Sequence, residues 1–192
     1  MAQRVTARDC APASTETAAV KSSREGVAAP RKRRSYEAGH KPKFLVVLDE
    51  TEECDRAVYF ASRRAARVGA IVIMLRVVEP DYRNQVWPGV MEIMRAEEQE
   101  EARSILKRYV ARANEVAGIT AEAVVREGDE AQEILGLIEE DEDVAALVLA
   151  AGTGKEGSGA LVSELAGTAG NYPIPIAIVP GHLTDEQLDA LS

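Results

Sequence analysis

The stretch Lys43-Phe-Leu-Val-Val-Leu-Asp49 decides the fold class, because it is an unbroken run of β-branched and leucine side chains that ends on a carboxylate. A strand with apolar side chains on both faces is typical of the interior of a parallel sheet. Two more runs of this kind follow, Ala70-Ile-Val-Ile-Met-Leu-Arg-Val77 and Val144-Ala-Ala-Leu-Val-Leu-Ala150. Helical patterns separate them, which predicts parallel strands joined by helical crossovers.

The remaining segments complete this alternation of strands and helices. Strands are predicted at 43–49, 70–77, 120–126, 144–150 and 173–179, and helices at about 52–68, 91–116, 129–140 and 161–167. Pro173 and Pro175 suit an edge position for the last strand, since proline cannot donate to a ladder. The sequence therefore predicts an α/β fold, a doubly wound parallel five-stranded sheet with helices on both faces.

Charge divides the chain into two unequal parts. Residues 1–43 hold 10 Lys/Arg and 4 Asp/Glu, whereas residues 44–192 hold 13 and 28. We expect a disordered basic N-terminal arm over 1–42, a folded domain over 43–181 and a C-terminal extension over 182–192 that forms a short helix. The acidic domain makes nucleic acid an unlikely partner. The cations of residues 31–34 could recruit a protein partner or an anionic surface, or bind the domain's own acidic face.

No apolar run reaches the length of a membrane span or forms a secretory signal, so a cytoplasmic location is expected. Cys10 and Cys54 should be free thiols, with Cys54 a partly buried small residue rather than a reactive one. His40 and His182 share no zinc spacing with the cysteines. The acidic run 139–143 is typical of a solvated turn rather than a metal site. No catalytic constellation is evident, and an enzymatic activity is not expected.

A ligand site is expected beyond the carboxyl ends of the strands, where ligands bind in such sheets. Asp49 follows the first strand and Val77 ends the second. The loop Ala151-Gly-Thr-Gly-Lys-Glu-Gly-Ser-Gly159 follows the fourth strand and precedes a helix. Glycines before a helix N-terminus can cradle a phosphate group. Two alternatives remain open: the loop could be a flexible surface segment, and Asp49 could be a helix N-cap.

Five segments together resemble the universal stress protein family in order and spacing. They are Phe44-Leu-Val-Val-Leu-Asp49, Leu75-Arg-Val-Val-Glu-Pro80, Glu127-Gly-Asp129, the glycine-rich loop and Pro175-Ile-Ala-Ile-Val-Pro180. The resemblance covers residues 43–181. It implies a Rossmann-like sheet ordered 3-2-1-4-5, a homodimer formed through the last strand and, in many members, ATP or AMP bound between strands one and four.

The resemblance also implies which residues hold a nucleotide. Asp49 and Val77 match the family positions that contact adenine and ribose. The family's phosphate loop, Gly-x2-Gly-x9-Gly-Ser/Thr, fits in two registers, one ending at Gly167-Thr168. The other, preferred because it is anchored on the strands, ends at Val162-Ser163. The predicted nucleotide-binding residues are Asp49, Val77, Ala151, Gly152, Gly154, Gly157 and Ser163.

The chain departs from the family pattern at Ala151, at Val162 and at Glu50, whose carboxylate would repel phosphate oxygens unless Mg²⁺ or Lys155 intervened. The sequence is therefore compatible with two functions. The first is a stress-response regulatory domain that binds ATP or AMP, with or without Mg²⁺, and is non-catalytic or hydrolyses ATP slowly. The alternative is a ligand-independent homodimeric interaction module that uses the basic arm to recruit a partner.

Overall fold

A computed structural model of the chain describes residues 32–49, 51–79, 88–152 and 159–192. Within these residues one sheet contains the strands β1 (Lys43–Val47), β2 (Ile71–Val78), β3 (Glu122–Glu127), β4 (Val144–Ala151) and β5 (Ile176–Pro180). Their order is β3-β2-β1-β4-β5, and every neighbouring pair is parallel. The predicted fold class and strand order are confirmed.

The helices of the described residues are α1 (Cys54–Val68), α2 (Pro88–Ala117), α3 (Glu130–Glu140), α4 (Ala160–Thr168) and α5 (Asp185–Leu191). Helix α2 begins three residues earlier than predicted, because a proline is tolerated in the first turn, where its missing N–H has no partner to lose. Strand β5 begins after Pro175 rather than at Pro173, since these prolines cannot join the ladder.

The helices cover the two faces of the sheet, and β1 contributes side chains to both. Phe44, Val46 and Leu48 point into a core shared with α1, α2 and α5. Leu45 and Val47 point into a second core shared with α3 and α4. This alternation explains why the deciding stretch is apolar at every position from Phe44 to Leu48.

Helix α5 lies against α1. Leu188 is fully buried in the α1 core, and Thr184 caps the helix by accepting from the backbone N–H of Gln187. Arg63 of α1 pairs with Asp189 at 2.6 Å. The C-terminal extension thus packs on the domain. None of the helices in the described ranges is long and apolar enough to cross a membrane.

Residues 32–43, here called the N-terminal clasp, also pack on the domain. Arg33 Nη1 donates to the backbone oxygens of Ile138 and Asp141, the latter at 2.9 Å. The backbone N–H of Arg34 donates to the Glu142 oxygen at 3.0 Å. The prediction of an arm over 1–42 is therefore wrong for residues 32–42, whose cations lie against the acidic run 139–143. Residues 1–31 lie outside the described part.

Glu139 and Glu140 of that acidic run are exposed, but Asp141 and Asp143 do not form the solvated turn that the sequence predicted. His40 Nδ1 lies 2.6 Å from Asp143 Oδ1, and Lys43 Nζ lies 2.8 Å from Asp141 Oδ2. The hydrogen bond to Asp141 raises the pKa of Lys43. Consecutive carboxylates at the end of α3 would repel one another, and the clasp supplies the compensating charges.

Candidate functional site

At its carboxyl edge the sheet reverses its strand order between β1 and β4, the position at which doubly wound sheets form a crevice. The two strands are neighbours in the sheet, but α1 follows β1 on one face and α4 follows β4 on the other. The helices that follow the two strands therefore lie on opposite faces of the sheet. A crevice of this origin is where doubly wound sheets bind their ligands.

Asp49 stands on the β1 side of this crevice, two residues beyond the strand. Its Oδ1 accepts from the backbone N–H of Thr51 at 2.9 Å and from the Thr51 hydroxyl at 2.6 Å. Helix α1 begins at Cys54 with Glu53 as its N-cap residue. The alternative that Asp49 caps the helix is wrong, because the helix starts too late for its side chain. The carboxylate instead orders the turn between β1 and α1.

Val77 lies at the end of β2 and Arg76 immediately before it. The Val77 side chain is buried in the core shared with α3 and α4. Arg76 Nη1 donates to the backbone oxygen of Leu48 at 3.1 Å, which joins the end of β1 to that of β2. Asp49 and Val77 thus lie at the same edge of neighbouring strands.

On the other side of the crevice, β4 ends at Ala151 and is followed by Gly152. The Ala151 oxygen accepts from the backbone N–H of Gly181 at 2.9 Å, which fixes the strand end. Gly154 and Gly157 lie outside the described residues. Helix α4 begins at Ala160 after Gly159, whose φ of 92° is a conformation that favours glycine.

Ser163 lies in the first turn of α4, and its Oγ donates to the Gly159 oxygen at 2.9 Å. Gly167 and Thr168, which end the competing register of the phosphate loop, lie in the last turn of α4. The amides of the first turn, where the positive end of the helix dipole lies, are those that bind anions. The helix geometry is therefore compatible with the register that ends at Val162-Ser163.

The surroundings of the crevice are acidic. Burial raises the pKa of Glu130 to about 7, and the nearby carboxylates of Glu79, Asp49 and Glu164 add to this rise, while Arg76 opposes it. Glu130 begins α3 at the carboxyl edge. An anionic ligand entering here meets several carboxylates and the guanidinium of Arg76.

The family of the chain follows from a comparison of its sequence. The sequence model of the universal stress protein family matches residues 42–180. The chain belongs to the universal stress protein family. A search of curated proteins found no match.

Solved structures of universal stress proteins share this fold. UspA from Lactobacillus plantarum is 17% identical, with 72% of this chain and 97% of that chain covered and a TM-score of 0.60. A universal stress protein in complex with cAMP is 19% identical, with coverages of 73% and 97% and a TM-score of 0.53. A family protein from Arabidopsis thaliana with AMP bound is 19% identical, with coverages of 76% and 94% and a TM-score of 0.51.

The universal stress protein fold brings Asp49, Val77, Ala151 and Gly152 to one edge of the sheet, and α4 places Ser163 beside its own N-terminal glycine. Sequence reasoning missed Arg76 and Glu130 at this edge. The signal was present, because Glu130 directly follows Asp129, the predicted turn residue that caps α3. A residue after that turn must lie at the carboxyl edge of a parallel sheet.

Cys54 is a free thiol, and it is fully buried where the sequence predicted partial burial. Burial raises the pKa of the Cys54 thiol to about 12, and the Asp49 carboxylate adds to the rise. The thiolate is the reactive form of cysteine. Cys54 is therefore a packing residue at neutral pH.

Proposed function

We propose that this universal stress protein domain is a regulatory module that binds ATP or AMP in the crevice between β1 and β4. Asp49 and Val77 would contact ribose and adenine. The loop from Ala151 and Gly152 to Ser163 would hold the phosphates, with Gly154 and Gly157 within it. Binding would be non-catalytic or accompanied by slow hydrolysis.

One observation carries the proposal: β1 and β4 are neighbouring strands, but the helices that follow them lie on opposite faces of the sheet. Asp49 therefore lies on one side of the crevice and the N-terminus of α4 on the other. The first turn of α4 holds no acidic residue. Gly159, which precedes these amides, has a φ of 92° that favours glycine. The cAMP and AMP complexes of the two relatives named above support the same ligand class.

The acidic surroundings favour the nucleotide with Mg²⁺ over the free nucleotide. Asp49, Glu79 and Glu130 would each oppose the entry of bare phosphates. No group of three His, Cys, Asp or Glu side chains among the described residues is placed to hold a metal ion. The residues therefore do not form a metal site of their own, and Mg²⁺ would arrive on the phosphates.

The test is equilibrium binding of ATP and AMP to the full chain by calorimetry, with and without Mg²⁺. Asp49→Asn keeps an oxygen that can accept from Thr51 but removes the charge, and Ser163→Ala removes one hydroxyl. Each should weaken binding about fivefold or more, the loss of one hydrogen bond or more. Glu139→Gln and Ser104→Ala are matched controls, since both residues are exposed and lie away from the crevice.

The control variants should bind like the original chain. Absence of saturable binding at millimolar nucleotide would end the proposal. Equal losses in the variants and their controls would show that the crevice is not the site. Phosphate release measured on the same samples reports hydrolysis, which should be slow or absent.

A second candidate is the homodimeric interaction module, and one observation favours it. β5 is an outermost strand, and Ile178 on it is 44% exposed. An apolar groove of about 510 Å³ opens beside β5 and is lined by Phe60, Val68, Ile176 and Ala177 among others. Ile178→Lys should convert a dimer to a monomer in light scattering, and an unchanged mass would count against this interface.

In the interaction-module candidate, only part of the predicted basic arm remains free to recruit a partner. Arg33 and Arg34 already bind the domain, so recruitment of an anionic surface or a protein partner would depend on residues 1–31. Deletion of residues 1–31 should abolish partner capture while the clasp and the thermal unfolding midpoint are retained. Capture that survives the deletion would exclude the arm.

A further inference from the structure

The edge of the sheet farthest from β5 carries a groove that the nucleotide proposal does not use. β3 is the outermost strand on that side. Between β3 and α2 lies a groove of about 480 Å³ lined by Leu106, Val110, Ala121, Ala123 and Val125, with Arg103 and Lys107 at its rim. Its floor is apolar and its charged side chains are both cations.

Those two cations stand out in an acidic domain. Residues 44–192 hold 13 Lys/Arg against 28 Asp/Glu. Lys107 makes no ion pair within the described part of the chain. Arg103 makes two exposed contacts within its own helix, an ion pair of 3.5 Å with Glu100 and a hydrogen bond of 3.3 Å donated to Gln99 Oε1. Such an exposed pair contributes little to stability. The positive rim is therefore available to an external anion.

The backbone of β3 supplies the second element of recognition. An outermost strand presents a row of N–H and C=O groups that no neighbouring strand pairs. β3 has six residues, and the small side chains of Ala121 and Ala123 leave room on its α2 face. An added strand would place alternate side chains over the apolar floor, beside the cations.

We propose that this groove binds an extended peptide segment of a partner protein, of about five or six residues, in which apolar and acidic side chains alternate. The segment would add as a strand beside β3. Its apolar side chains would cover Val110 and Ala123, and its carboxylates would pair with Arg103 and Lys107. Main-chain hydrogen bonds give affinity in this binding mode, and the side-chain positions give specificity.

The test uses the full chain and a fluorescent decapeptide of alternating valine and glutamate, flanked by glycine and serine for solubility. The comparison peptide has lysine in place of glutamate. The acidic peptide should bind saturably, and the basic peptide at least about tenfold more weakly. Hydrogen exchange should show new protection of the β3 amides over residues 122–127.

Lys107→Glu and Arg103→Glu should each weaken the acidic peptide about tenfold. Arg108→Glu is the matched control, because Arg108 is the next residue of α2 and lies over the Tyr109 ring rather than in the groove. It should change binding by less than about threefold. Ala123→Leu should fill the groove and abolish binding with an unchanged unfolding midpoint, since Ala123 is exposed.

If Lys107→Glu and Arg108→Glu weaken peptide binding equally, the effect comes from the overall charge of the chain rather than from the groove, and the proposal is wrong. Binding without protection of β3 would overturn strand addition. If light scattering shows a dimer that Lys107→Glu converts to a monomer, the groove binds a second copy of the chain and the peptide proposal is wrong. If the chain binds anionic phosphatidylglycerol vesicles as tightly as the acidic peptide, and Lys107→Glu and Arg103→Glu abolish that binding, the groove is a lipid site and the peptide proposal is wrong.

Discussion

Replacement of Gly181 by alanine tests the packing that closes the end of the sheet. Gly181 follows β5, and its backbone N–H donates to the Ala151 oxygen at 2.9 Å. A Cβ at Gly181 would lie 2.3 Å from Glu53 Cγ, 3.0 Å from Glu53 Cβ and 3.1 Å from the Ala151 oxygen. One methyl group would therefore press on the start of α1 and the end of β4 together.

The size of the effect follows from which of these atoms can move. Glu53 Cγ can rotate away, but Glu53 Cβ and the Ala151 oxygen are fixed by the backbone. Overpacking of this kind costs about 1–3 kcal/mol. We expect a loss near the middle of that range, about 2 kcal/mol, which for a domain of this size lowers the unfolding midpoint by about 4–8 °C.

Urea unfolding followed by circular dichroism measures this loss. Gly170→Ala is the control, because a Cβ there meets nothing within 4 Å. In the double variant Glu53→Ala with Gly181→Ala, about half of the loss should be recovered, because Cγ is gone while the two fixed contacts remain. A Gly181→Ala chain as stable as the Gly170→Ala chain would refute the packing argument.

Three further changes probe other parts of the domain. The raised pKa of Glu130, about 7 against 4.5, means that the folded chain holds a proton that the unfolded chain releases, so stability falls as pH rises from about 4.5 to 7. Glu130→Gln should therefore add about 1–2 kcal/mol at pH 8, after allowance for solvent screening, and almost nothing at pH 4 in urea unfolding. Leu188→Ala should cost about 2–5 kcal/mol in the same assay, whereas the exposed Leu191→Ala should cost less than about 0.5 kcal/mol. In a Cys10→Ser background, Cys54 should resist a thiol reagent at pH 8 until urea unfolds the chain, and rapid reaction of the folded chain would contradict its burial.

The sequence was sufficient for the sheet because its central strands are buried on both faces. Val46 and Val47 point to opposite cores, so the run around them could form little else. The clasp was predicted only as one of several alternatives for the cations of residues 31–34. The contact of Arg33 with the Ile138 and Asp141 oxygens depends on where α3 ends in space, which charge counts alone do not reveal. Composition alone placed the basic segment outside the domain. The partners of Arg33, Ile138 and Asp141, lie 105 and 108 residues further along the chain, so local sequence does not reveal the contact.

The residues that the sequence singled out at this edge follow strand ends and the glycine-rich loop, whereas the neighbouring Arg76 and Glu130 were missed. Asp49 and Val77 follow from the ends of β1 and β2. Glu130 was missed although it directly follows the predicted turn residue Asp129, because it is one of 32 acidic residues in the chain. It matters only because α3 begins at the carboxyl edge, which partly buries the side chain and raises its pKa.

The two helices that begin at the carboxyl edge on the face opposite α1 are not equivalent as anion sites. The first turn of α3 contains Glu130 and Glu133, and the Asp129 side chain accepts from the Gln132 N–H at 3.0 Å. The positive end of its dipole is therefore already compensated by its own carboxylates. Helix α4 begins after a glycine and has no acidic residue in its first turn. A phosphate group in the crevice would gain from α4 and be repelled at α3, so the nucleotide should lie with its phosphates towards Gly159 and Ser163.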